Sequence, residues 1–240
     1  MIRLDKFLSQ AGVASRRQLR EIIRAGAVRI DGVCVTDYAY KFDETACTVT
    51  VNGETVREAG TLVVMMNKPA GYITATEDAR KATVMELLPP ELQGRQLKPI
   101  GRLDKETEGL LLFTNDGEFA NAMTHPYRHI SKTYRVSVRP KITEDQLTVL
   151  TSSLMIDGRK TLPADVRIVS SEEDKSVLEI VLYEGRNRQI RRLCEEAGLE
   201  TVRLKRVAIG QLKLSGLKRG EYRHLTHDEV SLLKRQSGNF

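Results

Sequence analysis

The 240-residue chain is 40% hydrophobic and 29% charged, which is typical of a folded protein with one or two domains. It has no apolar run near the ~18 residues of a membrane span and no apolar signal-peptide core at its start, so we expect a cytoplasmic protein. The formal net charge of +6 favours a polyanionic partner.

The first 35 residues have the pattern of two short helices and a hairpin. Leu4, Phe7 and Leu8 share one helical face, and Ser15 followed by Gln18 has the spacing of a capping box that begins a second helix. The Asp-Gly pair at 31–32, between short apolar runs, predicts a tight hairpin turn.

The second helix is strongly basic. Residues 1–30 hold seven basic side chains against two acidic ones, and the predicted outer face of the helix carries Arg16, Arg17, Arg20 and Arg24. The whole helix–helix–hairpin string resembles the S4 RNA-binding domain, in which the basic second helix lies against folded RNA. The resemblance implies an S4-like domain over residues 1–58. From the residues alone, a solvated basic face without a partner stays open.

Residues 57–60, Arg-Glu-Ala-Gly, are the predicted linker. A strand is expected to begin at Leu62 and to stop at residues 67–71, which read Asn-Lys-Pro-Ala-Gly. Physical chemistry alone predicts a plain connecting turn at this point.

The most informative segment follows at residues 101–117. It reads Gly-Arg-Leu-Asp, then Thr107, then Gly-Leu-Leu-Leu-Phe, and it ends on Asn-Asp-Gly. The apolar run predicts a buried strand or short helix, and Asp-Gly predicts a tight turn. A carboxylate just before a core element is held rigidly, as a nucleophile or general base must be. From spacing alone, Asp104 could equally be an ordinary surface aspartate beside Arg102.

Two more informative sequence segments follow towards the C-terminus. Residues 131–138, Ser-Lys-Thr-Tyr-Arg-Val-Ser-Val, alternate as a strand does and contain Tyr134. Residues 177–182 predict another strand, which leads into Glu-Gly-Arg-Asn-Arg-Gln-Ile-Arg-Arg at 184–192 and a helix. Residues 186–223 hold eleven basic side chains against four acidic ones, which indicates a second phosphate-contacting surface.

In this order the strings resemble the pseudouridine synthases that modify ribosomal RNA at single sites, the RsuA/RluB/RluE/RluF group. The resemblance implies an α+β catalytic domain over residues 62–240, built on a mostly antiparallel mixed sheet with flanking helices. It also implies that Asp104 is the catalytic aspartate, that Tyr134 stacks on the target base and that Arg191 pairs with Asp104. An aromatic ring suits a base held out of its helix, and a nearby cation keeps a carboxylate ionised.

Around these three residues, the basic side chains are predicted to bind RNA. They are Arg102 at the cleft mouth and Arg186, Arg188 and Arg192 of the later motif. The isomerisation breaks one bond and forms another without redox change, so we expect no cofactor and no metal. The three cysteines are widely spaced, and Pro126 argues against a helix that would align His125 with His129 as ligands.

The sequence therefore predicts a monomeric ribosomal RNA pseudouridine synthase that acts on rRNA or on a ribosome assembly intermediate. Asp104 would act as a nucleophile or as a base, and the sequence does not choose between them. The 184–192 motif favours 23S over 16S rRNA as target, whereas the Arg-Leu-Asp-Lys string at 3–6 is similar to the small-subunit enzymes. The alternatives are a non-catalytic S4-type RNA-binding protein and a hydrolase that pairs Asp104 with Glu106 or Glu108.

Overall fold

The computed structural model of the chain describes residues 1–56 and 61–238, so the predicted linker at 57–60 lies outside the described residues. Two compact units divide the chain. The first comprises Met1–Val63, Leu88–Lys98 and Phe113–Gly117, and the second comprises Val64–Leu87, Pro99–Leu112 and Glu118–Phe240. Asn115 lies in the first unit, where its Nδ2 donates to the carbonyl of Gln10 at 3.2 Å. The domain limits 1–58 and 62–240 stay a prediction.

The first unit opens with a helical pair followed by short strands. Its elements are β1 (Ile2–Arg3), α1 (Leu4–Gln10), α2 (Arg16–Arg24), β2 (Val28–Ile30), β3 (Val33–Cys34), β4 (Lys41–Phe42), β5 (Val49–Val51) and β6 (Glu54–Thr55). Antiparallel pairing joins β1 to β4, and a second sheet has the order β3-β2-β5-β6. The apolar sides of α1 and α2 close over this sheet with Leu4, Leu8, Leu19 and Ile23 fully buried.

Local signals in this unit are confirmed. Ser15 and Gln18 form the predicted capping box at the start of α2. The β2–β3 hairpin turns at Asp31 and Gly32, whose φ angles of 49° and 80° are those that a two-residue hairpin loop requires.

The second unit is built on a large mixed sheet. Its strands are β7 (Val63–Lys68), β8 (Lys98–Ile100), β9 (Glu108–Thr114), β10 (Lys132–Arg139), β13 (Asp165–Ser171), β14 (Ser176–Leu182), β15 (Glu200–Ile209), β16 (Leu212–Lys213) and β17 (Tyr222–His224), with the hairpin β11 (Met155–Ile156) and β12 (Arg159–Lys160) apart from it. In the described chain the order is β13-β14-β10-β15-β9-β7-β17, with β16 beside β15 and β8 beside β9.

Most of the strand pairs are antiparallel, but β15 and β9 run parallel. The helices of the second unit are α4 (Gly117–Thr124), α5 (Glu144–Thr151), α6 (Gln189–Glu196) and α7 (His227–Gln236), with 3₁₀ turns at Val84–Leu87 and Pro126–Arg128, and α3 (Pro90–Gln93) lies in the first unit. The α+β prediction with a mostly antiparallel mixed sheet is therefore confirmed. None of the helices in the described ranges combines the length and apolar character needed to cross a bilayer.

One local interpretation was wrong. The Asn-Asp-Gly string after the apolar run does not form a separate tight turn, because Gly117 is already the first residue of α4. Aspartate is common just before a helix as well as in turns, so the pair alone cannot distinguish the two. The apolar run itself is a strand, and every residue of β9 is buried.

Candidate active site

Asp104 lies in the loop between β8 and β9, which we call the Asp104 loop (residues 101–107). Its neighbour Leu103 is buried, and the hydroxyl of Thr74 binds both sides of the Leu103 backbone, donating to its carbonyl at 2.7 Å and accepting from its N–H at 3.1 Å. A turn closes the loop where the Thr107 N–H donates to the Asp104 carbonyl at 3.0 Å. The Asp104 side chain is half-buried on a backbone that is held at several points.

The strongest restraint on this loop is Lys68, the last residue of β7. Its side chain is fully buried, and its ammonium donates to backbone carbonyls at 2.9–3.3 Å, those of Pro69, Asp104, Lys105 and Thr107. A single cation thus ties three carbonyls of the Asp104 loop to the end of β7. Sequence reasoning missed this role, although a lysine directly after an apolar strand was a usable signal.

Burial lowers the pKa of Lys68 to about 8, while the carboxylates of Glu106, Asp104 and Glu108 oppose that shift. The Asn-Lys-Pro-Ala-Gly string contributes a second restraint, because the N–H of Gly71 donates to the carbonyl of Lys105 at 2.9 Å. The string is therefore more than a connecting turn: it holds the loop that presents Asp104.

The structure explains why a glycine, Gly109, begins the Gly-Leu-Leu-Leu-Phe string after the Asp104 loop. Strand β9 runs beside β15 with Gly109 opposite Arg206. A Cβ at Gly109 would collide with the Arg206 backbone, and the residue has a φ of 104°. A glycine here lets the two strands meet directly behind the Asp104 loop.

Asp104 opens onto a pocket that brings together five of the predicted site residues. The pocket is lined by Arg102, Leu103, Asp104, Thr107, Tyr134, Leu182, Gly185, Arg186, Arg188, Gln189, Ile190 and Leu204. Tyr134 comes from the middle of the sheet, where β10 pairs with both β14 and β15, and only 9% of its surface is exposed. The lining thus combines one carboxylate, one aromatic ring and three guanidinium groups.

The far side of the pocket is formed by residues 184–192, which we call the arginine segment. Glu184 organises its first half: it accepts from Arg186 Nε at 3.0 Å and from Gln189 Nε2 at 3.0 Å. Arg188 stands at the N-terminus of α6 with a φ of 50°. Its side chain is exposed at the pocket, without an ion pair in the described ranges.

Arg191 and Arg192 lie outside the pocket lining. No ion pair joins Arg191 to Asp104 among the described residues, and the buried Nε of Arg191 has no hydrogen-bond partner there. Arg192 contacts Asp157 at 3.5 Å and Asn187 at 3.4 Å. The structure therefore places Arg102, Tyr134, Arg186 and Arg188 around the pocket with Asp104, and these two arginines on α6 behind it.

Two other acidic residues close to Asp104 in the sequence, Glu106 and Glu108, lie outside the pocket. Glu108 is buried and bound by Arg203 at 2.7 Å and Arg219 at 3.2 Å, whereas Glu106 is exposed. Neither lines the pocket in the described part of the chain. Asp104 is the single carboxylate of the described pocket lining.

Lys132 is a second basic residue that sequence reasoning did not single out. It lies two residues before Tyr134 on β10 and therefore on the same face of that strand. Burial, helped by the Arg206 charge, lowers its pKa to about 8, and Glu184 opposes that shift. Sequence alone cannot reveal this shift, because a strand lysine is usually solvated.

The four predicted arginines of the first unit all lie on α2 and are exposed: Arg16, Arg17, Arg20 and Arg24. Arg16 donates to Asp5 at 3.2 Å, while Arg20 and Arg24 lie over the ring of Tyr38. None of them lines the pocket of the second unit. Within the described residues, no group of three or more His, Cys, Asp or Glu side chains is placed to hold a metal ion.

Comparison with known families assigns the two parts of the chain separately. Residues 62–196 match the RNA pseudouridylate synthase family, and residues 2–46 match the S4 domain. The chain belongs to the RNA pseudouridine synthase family. The resemblance inferred from the motifs is thereby confirmed, including the N-terminal S4 domain.

Similar proteins agree over the full length. The chain is 40% identical to the uncharacterized RNA pseudouridine synthase YtzG of Bacillus subtilis, covering 97% of this chain and 98% of that one. It is 39% identical to ribosomal large subunit pseudouridine synthase B of the same organism, over 98% and 96%. A crystal structure of a pseudouridylate synthase matches with a TM-score of 0.68 and 30% identity, over 97% of this chain and 100% of that one.

Membership in this family makes the protein an enzyme that isomerises uridine in RNA. It excludes the alternative of a non-catalytic S4-type binding protein. The pocket around Asp104 lies in the part of the chain that matches the synthase family.

Proposed function

We propose that this pseudouridine synthase modifies a single uridine of ribosomal RNA, with Asp104 as its catalytic carboxylate. The observation that carries the proposal is the described pocket lining, in which Asp104 is the single carboxylate and stands with Tyr134, Arg102, Arg186 and Arg188. A base and its flanking phosphates need an aromatic face and cations, and this lining supplies both.

The chemistry needs one well-placed carboxylate. The N1–C1′ bond of uridine breaks, the uracil turns, C5 bonds to C1′, and the proton lost from C5 is balanced by one gained at N1. Asp104 acts either as a nucleophile at the sugar or as the base that removes a ribose proton, and both routes require a carboxylate fixed against the sugar. The backbone hydrogen bonds of the Asp104 loop to Lys68 and Thr74 support that role.

The other residues divide the remaining work. Tyr134 stacks on the uracil, and Arg102, Arg186 and Arg188 bind the phosphates that flank the flipped nucleotide. Arg191 supplies the counter-charge of Asp104. The unpartnered Nε of Arg191 on α6 supports this role, since its guanidinium has donors available when the RNA closes the pocket.

Ribosomal RNA is the proposed substrate, with 23S favoured over 16S. The similarity to a large subunit pseudouridine synthase over nearly the whole chain supports this target. The Asn-Arg pair at 187–188 supports it as well, because the small-subunit members of the group tend to carry an aromatic residue and a histidine there. Arg188 offers a planar fork where a histidine would offer a single ring.

The hydrolase alternative conflicts with the site. Glycoside hydrolysis uses two carboxylates roughly 5–9 Å apart across the scissile bond. Glu108 is engaged by two arginines, and Glu106 is exposed outside the pocket lining. The pocket therefore lacks a second carboxylate from the described residues.

The catalytic assignment is tested by comparing Asp104→Asn with Glu106→Gln on rRNA transcripts. We expect Asp104→Asn to lose at least about 1,000-fold in turnover, because removal of a nucleophile or essential base abolishes the reaction path. Glu106→Gln, which neutralises an exposed carboxylate two residues away, should retain turnover within about twofold. Comparable turnover in both variants would remove Asp104 from the chemistry.

The target is tested by mapping pseudouridines in both rRNAs from a strain that lacks the gene. Loss of one 23S site supports the proposal. Loss of one 16S site with every 23S site intact would reverse the choice of subunit and leave the role of Asp104 unaffected.

A further inference from the structure

A cluster of arginines in the first unit is organised around one aromatic ring. The guanidinium carbons of Arg3, Arg20 and Arg24 lie over the ring of Tyr38, at 5.8, 4.9 and 5.8 Å from its centroid. One such contact is ordinary, but three cations over one ring bring like charges close together. Their mutual repulsion must be offset by the ring and by nearby anions.

The fold provides that offset. The buried carboxylate of Asp5, 1% exposed, accepts from Arg3 at 3.0 and 3.1 Å and from Arg16 at 3.2 Å. Arg20 and Arg24 form no ion pair with a carboxylate in the described chain. The arginine cluster (Arg3, Arg16, Arg20 and Arg24) therefore keeps a surplus of positive charge against Asp5.

The ring itself is firmly placed. Tyr38 packs against the core of the first unit, and its carbonyl accepts from the N–H of Asp5 at 3.1 Å. On α2, residues 16, 20 and 24 are spaced by four and so form one stripe along the helix. Arg17 is outside that stripe.

We infer that Tyr38 is a positioning residue that holds the arginine cluster ready for neighbouring phosphates of an RNA backbone. This inference rests on the proposed function and adds to it the residue that positions the arginines of the first unit for RNA. Guanidinium groups that stack on a ring still present their N–H forks at the edge, where phosphate oxygens bind bidentately. Because the contacts with Tyr38 and Asp5 already restrict these side chains, less of their rotamer entropy is lost on binding.

The test uses the full-length protein and compares Tyr38→Leu with Tyr38→Phe and Tyr40→Leu. Tyr40 is an exposed tyrosine two residues away, and no guanidinium lies over its ring in the described ranges. None of the three changes alters charge. The measurement is the dissociation constant for transcribed 16S and 23S rRNA across a series of KCl concentrations.

We expect Tyr38→Leu to bind about 10- to 100-fold more weakly, because three arginine side chains must then be ordered when the RNA binds, and the other two variants to bind within about twofold of wild type. The plot of log affinity against log salt should shift for Tyr38→Leu without changing slope, because every phosphate-contacting charge remains. Arg20→Leu should instead flatten the slope by about 0.7–0.9.

Wild-type affinity in Tyr38→Leu, or equal weakening in Tyr38→Phe, would overturn the inference. A flatter slope in Tyr38→Leu would also overturn it, because phosphate contacts themselves would then have been lost. The proposed function fails separately: wild-type protein that binds rRNA tightly but forms no pseudouridine contradicts that function and leaves the Tyr38 result interpretable.

Discussion

The Asp104 loop and the arginine segment both line the pocket, but they are held in opposite ways. The Asp104 loop is fixed through its backbone, chiefly by the buried ammonium of Lys68. In the arginine segment the ordering contacts are between side chains, Glu184 with Arg186 and Gln189 and Asp157 with Arg192, while Arg188 and Arg191 carry no ion pair in the described residues. The difference separates two tasks: a reacting group needs a rigid backbone, whereas groups that grip RNA must adapt to it.

Substitution of Arg191 is expected to have the largest effect and tests the arginine segment. If Arg191 is the counter-charge of Asp104, Arg191→Ala should lower the single-turnover rate constant by about 100- to 1,000-fold, as loss of a charge contact to the reacting group does. Arg192→Ala is the matched control, because Arg192 is the next residue on α6 and is bound to Asp157. The measurement is single-turnover pseudouridine formation at saturating protein. Equal effects from both variants would reduce Arg191 to a general RNA contact.

Lys68→Met tests whether the rigid backbone of the Asp104 loop matters for catalysis. The substitution keeps length but leaves the carbonyls of the Asp104 loop without their shared donor. We expect kcat to fall by about 100-fold, since a shift of ~1 Å in a reacting group costs that much, with rRNA affinity little changed.

Lys105→Met, on the exposed side of the same loop, is the control for Lys68→Met. It removes the same charge without removing a hydrogen bond to the loop. A Lys68→Met enzyme with wild-type kcat would show that the backbone restraint has no catalytic consequence.

Substitution of Tyr134, which lines the pocket together with the Asp104 loop and the arginine segment, tests whether the pocket contacts the base. Tyr134→Ala should weaken transition-state stabilisation by about 1–3 kcal/mol, the range for stacking on one base. Tyr134→Phe keeps the ring and should keep most of the activity. Measured kcat/KM values for the two variants decide the point, and equal losses would assign the effect to the hydroxyl group.

The smallest expected effect is a pH dependence of stability. The pKa of Lys68, about 8, lies below its ordinary value of 10.5. Between those values the unfolded chain binds the proton and the folded chain releases it, so the contribution of Lys68 to the free energy of unfolding rises with pH.

Over the same window kcat should fall, because a neutral amine has one fewer proton to donate to the Asp104 loop. The check is denaturant unfolding and turnover of wild type and Lys68→Met from pH 7 to 10.5. Lys132 has its pKa lowered to about 8 as well but is present in both proteins, so the difference between them isolates Lys68. Parallel profiles in the two proteins would contradict the assignment.

Several elements escaped prediction for identifiable reasons. Strand β13 is an edge strand with mostly exposed side chains, so it lacks the alternation that marked β10 and β14. Helix α4 was not predicted because its first residue, Gly117, follows Asp116 and the pair was interpreted as a turn. The site was predicted in outline, with Asp104, Tyr134, Arg102, Arg186 and Arg188 in one pocket, but the positions of Arg191 and Arg192 behind it were not.

By itself, the sequence determined local structure and the family to which the chain belongs. The Ser15–Gln18 capping box and the Asp31–Gly32 hairpin depend on residues a few positions apart, and the ordered motifs indicated the family. Only the tertiary structure decided that Lys68 holds a loop 36 residues away and that Tyr38 gathers arginines from two other elements. Backbone carbonyls are the same in every residue, and a ring attracts any cation that packing brings near. Such contacts leave no pattern in the sequence until the chain has folded.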